Sequence, residues 1–225
     1  MFMLWDWTWI ILLPAIIFGM YAQSRVTAAF SKWSRVRSRR GLTGAEAAAY
    51  LLRAAGVADV DIQPTQGLLA DHYDPMRKVL RLSPQVYYEP SIAAIGVAAH
   101  EAGHAIQHAT GYKALALRNA LVPLASMGNL WILLFIIGLI FASPTLQNIG
   151  ILFFSGTVLF MLFTLPVEFN ASARAIRMIE ETGLLTAEEL PAARDVLNAA
   201  AMTYVAAALM AVLQLVRLLL LRRED

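Results

Sequence analysis

The sequence predicts a mainly α-helical membrane protein, with about four transmembrane helices and a small α+β domain outside the bilayer. Three observations carry this expectation. Of 225 residues, 59% are hydrophobic and 15% charged, and the mean hydropathy is +0.59, too apolar for a soluble domain of this length. Four segments, at 7–23, 119–142, 145–167 and 199–221, are apolar and long enough to cross a hydrocarbon core roughly 30 Å thick. The stretch 41–118 instead shows the mixed helical and alternating periodicities of a small domain. Cysteine is absent, which excludes disulfides and thiolate metal sites and leaves His, Asp and Glu to bind any transition metal. The net charge of +2 is too small to indicate a nucleic-acid partner.

The first span, within residues 1–23, is flanked by Trp5, Trp7 and Trp9 at one end and Tyr21 at the other, as for a helix anchored at both interfaces. A cleaved signal peptide fits less well, because no positive charge precedes the apolar run and a basic stretch follows it. That stretch carries Arg25, Lys32, Arg35, Arg37, Arg39 and Arg40 with no acidic residue among them. The positive-inside rule places it in the cytoplasm. It reads either as a solvated helix face or, with Phe30 and Trp33 interleaved, as a segment lying on anionic headgroups; the second reading is preferred, making membrane lipids a partner.

This orientation puts the amino terminus outside, residues 24–118 in the cytoplasm, a hairpin of two spans at 119–167, a cytoplasmic return at 168–198, and a last span and tail at 199–225. Fifteen of the eighteen Lys and Arg residues then face the cytoplasm. Arg217 falls inside the last apolar segment, and Arg222 and Arg223 follow it; arginines near a helix end are expected to snorkel to headgroups.

Within 24–118, Thr43 and Glu46 have the spacing of a capping box opening a helix that Gly56 closes. "DVDIQ" and "GLLADHYDPMRKVLRLS" read as a strand and a hairpin about Asp74-Pro75. An edge strand here could bind a substrate backbone by strand addition, although His72, Tyr73 and Arg81 receive no role. A helix follows from Ser91 to Gly111. Farther on, 168–182 reads as a helix ended by Gly183, Thr186 and Glu189 offer a second capping box, and Pro191 suggests a kink.

The stretch "VAAHEAGHAIQH" on the Ser91 helix contains three of the four histidines. It matches H-E-x-x-H, which sets His100 and His104 one turn apart, about 6 Å along the axis, on a single face, with Glu101 beside them. The pattern alone leaves two readings open: a metal site or packed core histidines. The small apolar residues on either side favour the metal, because imidazoles and a carboxylate buried there need a compensating partner. His108 lies about 12 Å from His100 along the same axis, too far for a straight helix to wrap all three around one ion, so it is read as structural or supporting. Glu168, where the third apolar segment ends, is the better third ligand. The alternative is an interfacial carboxylate paired with Arg174 or Arg177. Two spans separate His104 from Glu168, so both fall on one side of the membrane.

Across "GLLADHYDP", "VLRLS", "GVAAHEAGHAIQH", "PVEFNASARA" and "TYVAAAL", most of the chain, the sequence resembles the YugP-type bacterial membrane zinc metallopeptidases. These are a gluzincin-like group related in motif logic to the HtpX-type membrane proteases. The resemblance implies a multi-pass protein of the inner (plasma) membrane whose cytoplasmic domain is zincin-like and carries the HExxH helix. It further implies one zinc ion held by His100, His104 and Glu168, with Glu101 as the catalytic carboxylate in peptide-bond hydrolysis of a protein or peptide substrate. Two positions depart from the pattern: Ser172 stands where related gluzincins have an aspartate that orients a histidine, and Asn170 stands where aspartate is preferred. Such residues tune metal affinity and rate. Arg174 and Tyr204 are candidate donors to the oxyanion. The competing expectation is a weakly active or inactive zinc-binding scaffold, motivated by Asn170 and Ser172. Histidine-based transport is disfavoured because the motif lies outside the apolar segments. The sequence leaves open the natural substrate, any protein partner and any homo-oligomer.

Overall fold

The computed structural model describes residues 7–67, 70–127 and 130–223. Trp5, residues 68 and 69 of the expected hairpin stretch, and the last two residues of the tail lie outside them. A 3-10 turn at Trp7–Leu12 leads into α1 (Leu13–Trp33). It is followed by α2 (Gly44–Ala54), β1 (Asp61–Pro64), β2 (His72–Asp74), β3 (Val79–Leu82), α3 (Pro84–Tyr87) and α4 (Ile92–Ala109). The rest is helical: α5 (Lys113–Ser126), α6 (Leu130–Ile140), α7 (Pro144–Glu181) and α8 (Leu190–Arg223). The chain divides into two compact units, one of residues up to 22, 116–166 and from 203, the other of 23–115 and 167–202.

Among the described residues, three helices are long and apolar enough to cross a membrane: Trp7–Trp33, Pro144–Glu181 and Leu190–Arg222. The expected span at 119–142 is instead the pair α5 and α6, bent by 44°. Counted as one span, the pair brings the total to four. α5 ends at Ser126 and α6 begins at Leu130. Two other boundaries move. The third span and the helix expected at 168–182 are one 38-residue helix, α7, and the last span begins as early as Leu190. Pro191 causes no kink, because in the first turn of α8 its missing N–H has no intrahelical partner to lose.

The apolar unit packs around Phe135, Ile151, Phe154, Val158, Ala211 and Leu218. Arg217 is held within the apolar unit. Only 7% exposed, it donates from Nε to Thr8 Oγ1 at 3.0 Å, and its guanidinium lies 4.1 Å from the Trp9 ring centroid. A guanidinium away from water needs such partners.

In the second unit the strand order is β1-β3-β2. β1 pairs parallel to β3, with Ile62 opposite Leu80, and β2 pairs antiparallel, with Tyr73 opposite Leu80. β3 is therefore central and buried, and β1 and β2 are edges. Leu51, Leu80, Leu82, Ile95, Ile179 and Leu184 fill the core. Local chemistry starts the helices: Thr43 and Glu46 form both halves of the capping box on α2, and Ser91 Oγ accepts from Ala94 N–H at the start of α4. Gly111, at φ +63°, closes α4 in the left-handed region. The second box is half formed: Glu189 accepts from Thr186 N–H and also from Arg39 N–H, while the Thr186 hydroxyl has no partner among the described residues. Part of the basic stretch is docked on α8, with Trp33 Nε1 donating to Asp195 at 2.8 Å and Arg25 pairing with the same carboxylate at 3.2 Å.

Candidate metal centre

The second unit brings α4 against the carboxyl-terminal part of α7, and one residue sets how closely. A Cβ on Gly103 would stand 2.7 Å from the Ala171 carbonyl oxygen. The absent side chain lets the two backbones meet, and Glu168, one turn before Ala171, arrives beside the imidazoles of α4.

His100 Nε2 lies 3.1 Å and His104 Nε2 3.4 Å from the same oxygen, Glu168 Oε2. The rings meet edge to face, with centroids 4.7 Å apart. One donor atom from each of the three residues lies within 4.8 Å of the others, close enough for all three to bind a single ion. Glu168 is 4% exposed and, among the described residues, meets the two histidines rather than Arg174 or Arg177. Burial opposes charge on His104. The hydrogen bond that His104 donates to Glu168 and the charges of Glu101 and Glu168 outweigh it and hold the His104 pKa above the usual histidine value. The pocket thus favours a positive charge between the imidazoles and the carboxylate. Two imidazoles and one carboxylate, without thiolate, are a donor set that fits zinc with a coordination position left over.

The opposite edges of both rings are also held. His100 Nδ1 is 3.0 Å from Ser172 Oγ. His104 Nδ1 is 3.0 Å from Gln107 Oε1. Gln107 Nε2 donates to the Val167 carbonyl at 2.8 Å and to Asn170 Oδ1 at 3.0 Å. Arg174 Nε also donates to Asn170 Oδ1, at 2.8 Å. Gln107 was not singled out from sequence. The available signal was its place three residues after His104, on the same helix face.

Glu101 is buried on α4 at 8% exposure and accepts no hydrogen bond among the described residues. His108 turns to β2, where its Nδ1 is 3.0 Å from the Tyr73 hydroxyl, and it is not among the three clustered residues. Arg174 stacks 5.8 Å from the Tyr112 ring centroid. Tyr204 belongs to the apolar unit, on α8.

A family model described as "Putative neutral zinc metallopeptidase" matches residues 8–223. A protein of Bacillus subtilis (strain 168) named "Putative membrane protease YugP" is 45% identical over 210 residues, covering 93% of this chain and 93% of its own. No solved structure matches the chain.

Proposed function

The chain belongs to the family described as "Putative neutral zinc metallopeptidase", and from that membership we propose that it is an integral membrane zinc endopeptidase. The observation that carries the proposal is the convergence of His100, His104 and Glu168 donor atoms within 4.8 Å. These three residues hold one zinc ion, which when bound polarises a peptide carbonyl and lowers the pKa of water. Glu101, adjacent to His100 and free of hydrogen bonds, takes the proton from the attacking water and passes it to the leaving nitrogen. Ser172 and Gln107 hold the imidazoles in orientation. Arg174 is the proposed donor to the oxyanion; with its Nε committed to Asn170, its terminal nitrogens carry that role.

The unit holding the site is a zincin-like domain facing the cytoplasm, with residues 24–118 and 168–198 on the basic side of an inner (plasma) membrane. The inactive-scaffold alternative rested on Asn170 and Ser172. Ser172 contacts His100 itself and Asn170 accepts from Gln107, the partner of His104, so both substitutions keep hydrogen-bonding support for the histidines.

The test is cleavage of fluorescently labelled, denatured casein by the detergent-solubilised chain, with and without a chelator. Glu101→Gln is expected to retain zinc and lose cleavage, and His100→Ala to lose both. Cleavage by Glu101→Gln at the wild-type rate refutes the role of Glu101. Absence of chelator-sensitive fragments from wild type favours the scaffold.

A further inference from the structure

The amide of Gln107 is oriented by groups whose hydrogen-bonding sense allows one answer. The Val167 carbonyl can only accept, and Gln107 Nε2 donates to it at 2.8 Å. Arg174 can only donate, and its Nε is 2.8 Å from Asn170 Oδ1. Asn170 Oδ1 is therefore an acceptor, and it takes a second hydrogen bond from Gln107 Nε2 at 3.0 Å. Both amide hydrogens of Gln107 are thus used, and its Oε1 faces His104 Nδ1 at 3.0 Å. An amide oxygen cannot donate, so the Nδ1 that faces it carries a proton, and Nε2 is the ring nitrogen left to offer a lone pair to a cation. Gln107 is 0% exposed. Reversing its amide would set oxygen against two acceptors in a buried site.

We infer that Gln107 is a positioning residue that fixes His104 as its Nδ1–H tautomer, and that the Val167 carbonyl and the Arg174–Asn170 pair lock the sense of Gln107. The inference rests on the reading of His104 as a zinc ligand. His100 differs in kind: its Nδ1 meets a serine hydroxyl, which can donate or accept and so holds the ring without dictating the tautomer.

The test uses the full-length chain in detergent, labelled with 15N-histidine and titrated with zinc alone. His104→Gln identifies the His104 signals. In the zinc-loaded wild type, His104 should show a slowly exchanging Nδ1–H and a proton-free Nε2. Gln107→Met keeps the length of the side chain without its polar atoms; it should weaken zinc binding by about 10- to 100-fold and let the Nδ1 proton exchange rapidly. Arg174→Met should do the same to a smaller extent, because the Val167 carbonyl still holds one amide hydrogen. A wild-type spectrum with the His104 proton on Nε2 overturns the inference even if Gln107→Met fails to fold. Wild-type affinity and an unchanged Nδ1–H signal in Gln107→Met overturn it as well, with the metal centre left standing. A wild-type chain that takes up no zinc overturns the metal centre itself and the inference with it.

Discussion

Replacing Gly103 with alanine tests whether the donor triad depends on a missing methyl group. The new Cβ would stand 2.7 Å from the Ala171 oxygen and 3.3 Å from its carbonyl carbon and Cα, whereas ordinary contact starts at 3.4 Å. Relief of the closest contact requires a displacement of about 0.7 Å, the difference between 2.7 and 3.4 Å. The obstacle is helix backbone, so no side-chain rotation can supply it. Alanine improves helix propensity by roughly 1 kcal/mol, and overpacking costs about 1–3 kcal/mol. The net change in stability is therefore between about zero and 2 kcal/mol of destabilisation. Metal sites are stricter, since ligand distances hold to about 0.2 Å, and a shift of α7 carries Glu168 and Ser172 with it. Zinc affinity should fall at least about tenfold, roughly 1.4 kcal/mol, by competition against a chromophoric chelator with unfolding followed in parallel. Gly96→Ala on the same helix is the control, because its Cβ would meet nothing closer than 3.7 Å, and it should bind zinc as wild type does. Wild-type affinity in Gly103→Ala would refute the reasoning.

Four further outcomes follow from the structure. Glu168→Ala should lose stoichiometric zinc by elemental analysis, because both Nε2 atoms lose the oxygen they share; retained zinc would show that another residue is the third ligand. Ser172→Ala removes the partner of His100 Nδ1 and should weaken zinc binding by about 10- to 100-fold in the same competition assay, with helix content by circular dichroism unchanged. In the α2 cap, the Thr43 backbone N–H and then its hydroxyl hold the Glu46 carboxyl below the usual carboxylate value. A lowered folded-state pKa contributes stability above the ordinary value and loses it as pH falls through the folded one. Thr43→Ala should accordingly cost about 1 kcal/mol at neutral pH, and Glu46→Gln should differ less from wild type in acid than at neutrality when unfolding is measured in each.

The sequence by itself determined what depends on neighbours a turn or two apart. The capping residues Thr43 and Ser91, the closing Gly111 and the one-turn spacing of His100 and His104 follow from helix geometry, and the long apolar segments follow from the thickness of the hydrocarbon core. The lengths of α7 and α8 were less legible, because the hydrophobic pattern stops where the helix does not: polar residues after Val167 and before Ala199 continue the same backbone hydrogen bonding. The partners of Arg217, Thr8 and Trp9, were not legible because they lie at the other end of the chain.

The tertiary structure alone decided which atoms meet. Counting spans put Glu168 and the histidines on one side of the membrane, but the shared Oε2 contact depends on the closeness of α4 and α7 at Gly103, a packing distance that no periodicity encodes. Gln107 is the clearest case: on sequence it is one polar residue in an apolar helix, and its partners on α7, Val167 and Asn170, are sixty and sixty-three residues away along the chain. The sense of its amide is a property of the closed hydrogen-bond network and exists only once the two helices have packed.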